Sequence, residues 1–199
     1  MLREVSPYIA GVKIGVPTII RLGFNIMKNM IINVKDASLY LIADMKIADV
    51  EHISGSIVSL ISEIGFDALI AHAFIGYEGG LNSIAKLTRD HGLGLYSVCA
   101  MSHRGGEDFI NKNMRSLLEL SLKVGVDGVI LPATMPKYIR YARRLAKDIL
   151  ILAPGVGAQG AKVGSAIAEG ADFEIIGRLI YLSKNPKDKA FEIRRVLKW

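Results

Sequence analysis

The stretch LYLIADMKIADVEHISGSIVSLISEIG, residues 39–65, decides the fold. Leu39 to Asp44 is a short, nearly continuous apolar run, the signature of a strand covered on both faces. Ile53, Ile57, Leu60, Ile61 and Ile64 then fall at i, i+4, i+7, i+8 and i+11, which marks one face of a helix. A strand that feeds a helix is a βα unit, and the rest of the chain repeats it. Further strand-like runs are Gly11 to Gly15, Ala68 to Ala73, Leu93 to Ala100, Gly128 to Pro132, Ile149 to Pro154 and Phe173 to Gly177. Helical periodicity lies between and after them, over 17–30, 50–64, 78–91, 107–123, 136–147, 161–169 and 187–198, with a short leading helix near Leu2 to Ala10.

Strict alternation with right-handed crossovers means α/β, as an open doubly wound sheet or a closed barrel. A (β/α)8 TIM barrel takes eight strands and typically about 250 residues, with a floor near 200. The 199 residues hold seven strand signals. The chain therefore reads as one domain, residues 1–199, a (β/α)8 TIM barrel lacking its first β-strand.

Composition narrows the setting. Lys plus Arg number 25 against 19 Asp plus Glu, a net charge of +6, with both signs spread along the chain. No apolar run approaches the roughly 18 residues of a membrane span, and the polar residues after Met1 carry no expectation of a secretory leader. Cys99 is the single cysteine, so an internal disulfide is impossible and the cytoplasm is the expected compartment. The basic run Arg140 to Lys147 and the tail with Arg194, Arg195 and Lys198 carry no groove-reading motif. They read as solvated helix faces, and no nucleic-acid partner is expected.

In barrels the chemistry sits at the C-terminal ends of strands. The strand that opens residues 39–65 runs into Asp44-Met45-Lys46-Ile47-Ala48-Asp49. Asp44 and Lys46, two apart on an extended chain, point to the same side. Carboxylates beside Lys46 favour its ammonium form, which can serve as a general acid. The competing structural reading is a surface ion pair, with Asp49 as a helix cap. Lys13 lies within the apolar run GVKIG, where burial demands a carboxylate partner, and Asp44 on the next strand is available. Pro154 to Gly160 (PGVGAQG) and Gly177-Arg178 follow the last two strands, where barrel phosphate sites form. Glycine amides converge on anions there and an arginine forks onto phosphate oxygens. Ser102 closes the Leu93 to Ala100 run within Met101-Ser102-His103. His72 reads as a satisfied core or supporting group, and no Cys/His cluster suggests a metal.

Asp44-x-Lys46-x-x-Asp49, PGVGAQG at 154–160 and IGR at 176–178 together resemble orotidine 5′-phosphate decarboxylases, particularly the short archaeal type. The resemblance runs from about Val12 to the C-terminus. It implies decarboxylation of orotidine 5′-monophosphate to UMP in pyrimidine biosynthesis, with neither metal nor organic cofactor. By that resemblance Lys46 protonates C6, Asp44 lies against the substrate carboxylate, and Lys13 orients Asp44 and meets the ribose. It further implies a cytoplasmic homodimer with shared active sites, into which Asp49 reaches from the partner subunit. Ser102 would meet the pyrimidine edge, and Pro154, Gly155, Gln159, Gly177 and Arg178 would hold the phosphate. The chain departs from the family pattern at Glu51 and Ile53, where Pro and Thr are usual, and at Met135, where Arg is common. Two alternatives compete: a 3-hexulose-6-phosphate synthase-like Mg-dependent aldolase, which shares the Asp-x-Lys-x-x-Asp motif, and a non-catalytic barrel that binds a phosphate ligand.

Overall fold

Three Gly-x-Asp tripeptides, at 65–67, 125–127 and 170–172, show how short sequence signals build this fold. Each glycine takes a positive φ (100° at Gly65), which stops the helical run before it. Two residues later the aspartate clamps the chain to a residue already in a strand. The Asp67 amide donates to the Leu41 carbonyl (2.9 Å) and Asp67 Oδ2 accepts the Leu41 amide (2.8 Å). Asp127 makes the same exchange with Leu95 (3.0 and 2.7 Å), and Asp172 with Ile151 (3.0 and 2.7 Å). Asp172 also receives Arg143 Nη2 at 2.5 Å. Asp172→Ala leaves the amide of the fully buried Ile151 without its acceptor. It should lower stability by about 1–3 kcal/mol in a denaturant titration, with Asp172→Asn losing less.

The computed structural model describes residues 1–35 and 37–197, apart from the side chain of Asn33. They divide into two compact units: Ala10–Val98 with Glu119–Asp127, and 1–9 with 99–118 and 128–197.

The first unit carries β1 (Gly11–Gly15), β2 (Tyr40–Ile47), β3 (Ala68–His72) and β4 (Gly94–Val98), each parallel to its neighbour in chain order. Between them lie α2 (Val16–Lys35), α3 (Glu51–Ile64) and α4 (Asn82–Asp90). The predicted 17–30 helix is longer and is broken at Gly23 (φ 70°, ψ 172°). The predicted 78–91 helix starts late, because Tyr77–Leu81 forms an irregular turn around Gly79 and Gly80. Leu41, Ala43, Leu69, Ile70 and Leu95 are core residues with almost no exposure, as are Val58, Ile61 and Ile84 from the helices.

The buried face of α3 differs from the predicted one. Ser54, Val58, Ile61 and Ile64 are buried, whereas Ile53 and Leu60 are 40% and 49% exposed. Ser54 tolerates burial because its hydroxyl donates to the Asp49 carbonyl at 2.9 Å. Hydrophobic period placed the stripe one residue off, since a satisfied serine counts as core here. Ile53 and Leu60, with the half-buried Ile57 between them, form a second apolar stripe that the unit covers only in part.

The second unit carries β5 (Gly128–Ile130), β6 (Leu150–Pro154) and β7 (Phe173–Ile175), again parallel in chain order. Its helices are α1 (Leu2–Val5), α6 (Pro136–Leu145), α7 (Ser165–Ala168), α8 (Arg178–Tyr181) and α9 (Pro186–Leu197). The predicted 107–123 helix is reduced to Met114–Val124, preceded by 3₁₀ turns at Arg104–Glu107 and Asn111–Asn113. The predicted 161–169 helix shrinks to the four residues of α7, and α8 was not anticipated. Tyr8 stacks edge-on against Phe191, and Arg194 donates to the Pro7 carbonyl, fastening the N-terminal segment to α9. Lys198, the predicted end of that last helix, lies outside the described residues. The α/β class with seven parallel strands, one to each βα unit, is as the sequence predicts.

Candidate functional site

At the C-terminal end of β2 the pleat fails. Ala43 pairs with Leu69 of β3, but the next partners are Ile47 and Ala71, so residues 44–46 stand opposite Ile70 alone. Lys46, within this irregularity, has φ 48°, a conformation that L side chains seldom adopt. Backbone strain of this kind persists only where the surroundings enforce it, and it concentrates at functional positions. The predicted meeting of Asp44 and Lys46 therefore comes about through a bulge and not through a plain extended strand.

Asp44 is 7% exposed and gives one carboxylate oxygen to each of two lysines. Oδ1 accepts Lys46 Nζ at 2.6 Å, and Oδ2 accepts Lys13 Nζ from β1. Lys13 reaches it because Gly15 pairs with Asp44 in the β1–β2 register, so its long side chain spans one residue pair. Burial opposes ionisation of Asp44, but the charges and hydrogen bonds of Lys13 and then Lys46 prevail and hold its carboxyl below the usual value. Two ammonium groups sharing one carboxylate leave a net positive site, half open to solvent at Lys46. Such a site attracts an anion and holds a proton donor in fixed position.

Asp49, the third member of the motif, is exposed. Its Oδ1 accepts the Val50 amide at 2.8 Å, and among the described residues its carboxylate meets no cation. One chain thus brings Lys13, Asp44 and Lys46 together and leaves Asp49 facing outward. Beside it opens a surface cleft of about 660 Å3 lined by Asp49, Val50, Glu51, Ile75 and Glu78 among others.

His72, at the end of β3, differs from its sequence reading. It is buried, yet its Nδ1 has no hydrogen-bond partner, so it is not a satisfied core group. Burial, and secondarily the charge of Lys46, pull its pKa down to about 4, with Asp44 opposing. The unfolded chain binds the proton near the ordinary 6.5, so the folded state loses stability as pH falls from there toward 4. We expect this loss to be roughly 3 kcal/mol or less, and to be absent from the pH-stability curve of His72→Phe.

In the second unit, Ser102 is exposed on the turn after Met101. That turn is held by Asn111, a residue the sequence reading missed. Its side chain accepts the Met101 amide (2.9 Å) and donates to the Met101 carbonyl (3.0 Å) and to Glu107 (2.9 Å). A buried Asn among 3₁₀ turns leaves no periodic trace in sequence. The loop after β6 is cross-tied by the Gly157 amide to Ala161 (2.8 Å) and the Gly160 amide to Gly157 (3.1 Å). Gly157 (φ 71°) sits so close to Leu179 that an added Cβ would meet it at 3.1 Å. The two predicted phosphate elements, Pro154 to Gly160 and Gly177-Arg178, are therefore neighbours in this unit. A Cβ on Gly155 would strike Gln159 Oε1 at 2.7 Å, which places Gln159 over the start of the loop. Gly177 and Arg178 are exposed. Among the described residues no group of three or more His, Cys, Asp or Glu side chains is arranged to hold a metal ion.

Comparison with known proteins bears on the same residues. The family model for "Orotidine 5'-phosphate decarboxylase / HUMPS family" matches residues 1–193. The chain is 35% identical over 191 residues to the orotidine 5′-phosphate decarboxylase of Methanosarcina acetivorans, spanning 96% of this chain and 84% of that protein. It is 37% identical over 194 residues to the Pyrococcus abyssi enzyme of the same name, spanning 96% and 88%. Among solved structures, the orotidine 5′-monophosphate decarboxylase of Sulfolobus solfataricus superposes with a TM-score of 0.91 at 30% identity, covering 99% of this chain and 90% of that one. The Methanocaldococcus jannaschii enzyme, complexed with the inhibitor BMP, gives 0.90 at 27% identity, covering 100% and 91%. The barrel class predicted from the alternation is borne out by these likenesses.

Proposed function

The chain belongs to the orotidine 5′-phosphate decarboxylase / HUMPS family, and on that footing we propose that it converts orotidine 5′-monophosphate to UMP and CO2. The observation that carries this reading is the Lys13–Asp44–Lys46 cluster on the strained end of β2. The C6–carboxylate bond breaks, CO2 leaves, and the electron pair left on C6 takes a proton from Lys46 Nζ. Lys46 then regains its proton from water. Asp44 lies beside the substrate carboxylate and fixes both ammonium groups, and Lys13 meets the ribose. Because the ammonium is already in place before charge develops at C6, little reorganisation is needed during the step.

In this reading Ser102 contacts the pyrimidine edge, while Pro154, Gly155, Gln159, Gly177 and Arg178 hold the phosphate. The contact of Gly157 with Leu179, next to Arg178, supports a common anion site for the two segments. Binding energy from the remote phosphate then helps to position the ring. We further propose a homodimer with shared active sites, each Asp49 reaching into the partner's site. The outward position of Asp49 and the partly exposed stripe of Ile53, Ile57 and Leu60 support it. The match over residues 1–193 supports treating the chain as one domain. Among the described residues no helix is long and apolar enough to cross a membrane, and a single, buried cysteine, Cys99, suits the cytoplasm.

The test is direct. Purified protein should deplete the orotate-ring absorbance of orotidine 5′-monophosphate at the same rate with and without EDTA. A folded protein that leaves the absorbance unchanged would overturn the proposal, and sensitivity to EDTA would favour a metal-dependent reaction.

A further inference from the structure

His72 is a buried titratable side chain near the reacting cluster to which the mechanism above assigns no task. It ends β3, directly after Ala71, the register partner of Ile47, which itself follows Lys46. It is therefore on the strand adjacent to the Asp44–Lys46 bulge and at the same end. The charges of Lys46 and Asp44 both act on it. Its exposure is 8%, and its buried Nδ1 has no hydrogen-bond partner among the described residues. The Phe74 ring lies beside it, 4.8 Å between centroids. A buried nitrogen without a partner destabilises the fold, and a phenyl or leucine side chain would fill the same space without that penalty. Packing therefore does not account for an imidazole here.

We infer that the His72 imidazole is a substrate-positioning group, hydrogen-bonded, directly or through one water, to an uncharged polar atom of the bound pyrimidine nucleotide. This rests on the proposed decarboxylase reading and adds a recognition contact to it. Burial and the neighbouring Lys46 ammonium keep the ring neutral, so it presents one donor and one acceptor and does not compete with Lys46 as the proton source. Its partner is correspondingly a carbonyl, ring N–H or hydroxyl of the ligand, and not the phosphate.

Three proteins decide the matter: the unaltered chain, His72→Phe and His72→Asn, which keeps a polar atom near the place of Nδ1. We expect His72→Phe to raise KM for orotidine 5′-monophosphate, and the Kd of UMP measured by calorimetry, by about tenfold, with the change in KM and not in kcat. His72→Asn should recover most of that loss. In the unaltered protein, UMP should shift the nitrogen resonances of the His72 ring, a readout that needs no substitution. Equal UMP affinity in all three proteins, or His72→Asn as impaired as His72→Phe, would show a packing role only and overturn the inference, as would unmoved ring resonances. An unaltered chain that neither turns over the substrate nor binds UMP would instead remove the decarboxylase reading, and this inference with it.

Discussion

Lys46→Ala should lower the rate of decarboxylation by on the order of 10^4-fold while UMP binding persists. The ammonium is assigned two tasks at once, the proton delivered to C6 and the positive charge beside the carbon as its electron pair is released. Its position depends on features that alanine does not disturb. The bulge at residues 44–46 remains, Asp44 keeps Lys13, and the proposed phosphate contacts lie elsewhere in the chain. Lys46 is substantially exposed, so little packing is lost and the fold should survive. The deficit therefore belongs in kcat, with KM and the UMP Kd changed far less. Retention of most activity would remove Lys46 from the role of proton donor. Relief of its positive-φ backbone is not expected, because alanine is disfavoured at φ 48° as lysine is.

Asp44→Asn is the second large effect, and it falls on stability and rate together. Removing the carboxylate leaves Lys13 and Lys46 facing each other in a partly buried site without a counter-ion. Breaking a buried pair costs about 3–5 kcal/mol, and the exposure of Lys46 argues for the lower end or below. Turnover should fall by on the order of 10^2- to 10^3-fold, because the amide no longer fixes the ammonium toward C6. The stability deficit has a defined pH dependence. Folding lowers the Asp44 pKa from its ordinary 3.8. The stabilisation is fully present above that value and disappears as pH falls through the lowered folded value. The melting curves of the two proteins should thus converge only in strong acid. A constant difference across that range would mean that the ion pairs do not supply the stabilisation.

Much of the candidate site was legible in the sequence because it is written in local spacing. Asp44 and Lys46 are two residues apart at a strand end, and the glycine-rich run and Gly177-Arg178 end consecutive strands. Lys13 was legible because an ammonium inside an apolar strand needs a carboxylate. His72 was misread for a physical reason: whether a buried nitrogen has a partner is a property of the surrounding shell, and no pattern along the chain reports it. Asn111 escaped because a side chain that ties a turn leaves no period. The α3 stripe was displaced by Ser54, whose burial depends on the Asp49 carbonyl. The Gly-x-Asp clamps were present as three repeats of a short signal, yet their meaning depends on Leu41, Leu95 and Ile151 lying opposite them.

By itself the sequence determined the class of fold, the number of βα units and the chemistry available at the strand ends. These follow from period and spacing, which are properties of a chain read one residue after another. Only the tertiary structure decided that Asp44 serves two lysines at once, that Lys46 is held at positive φ across a bulge, and that His72 is buried with its Nδ1 unpaired. Each of these depends on strands brought side by side, where the register between β1, β2 and β3 sets which side chains meet.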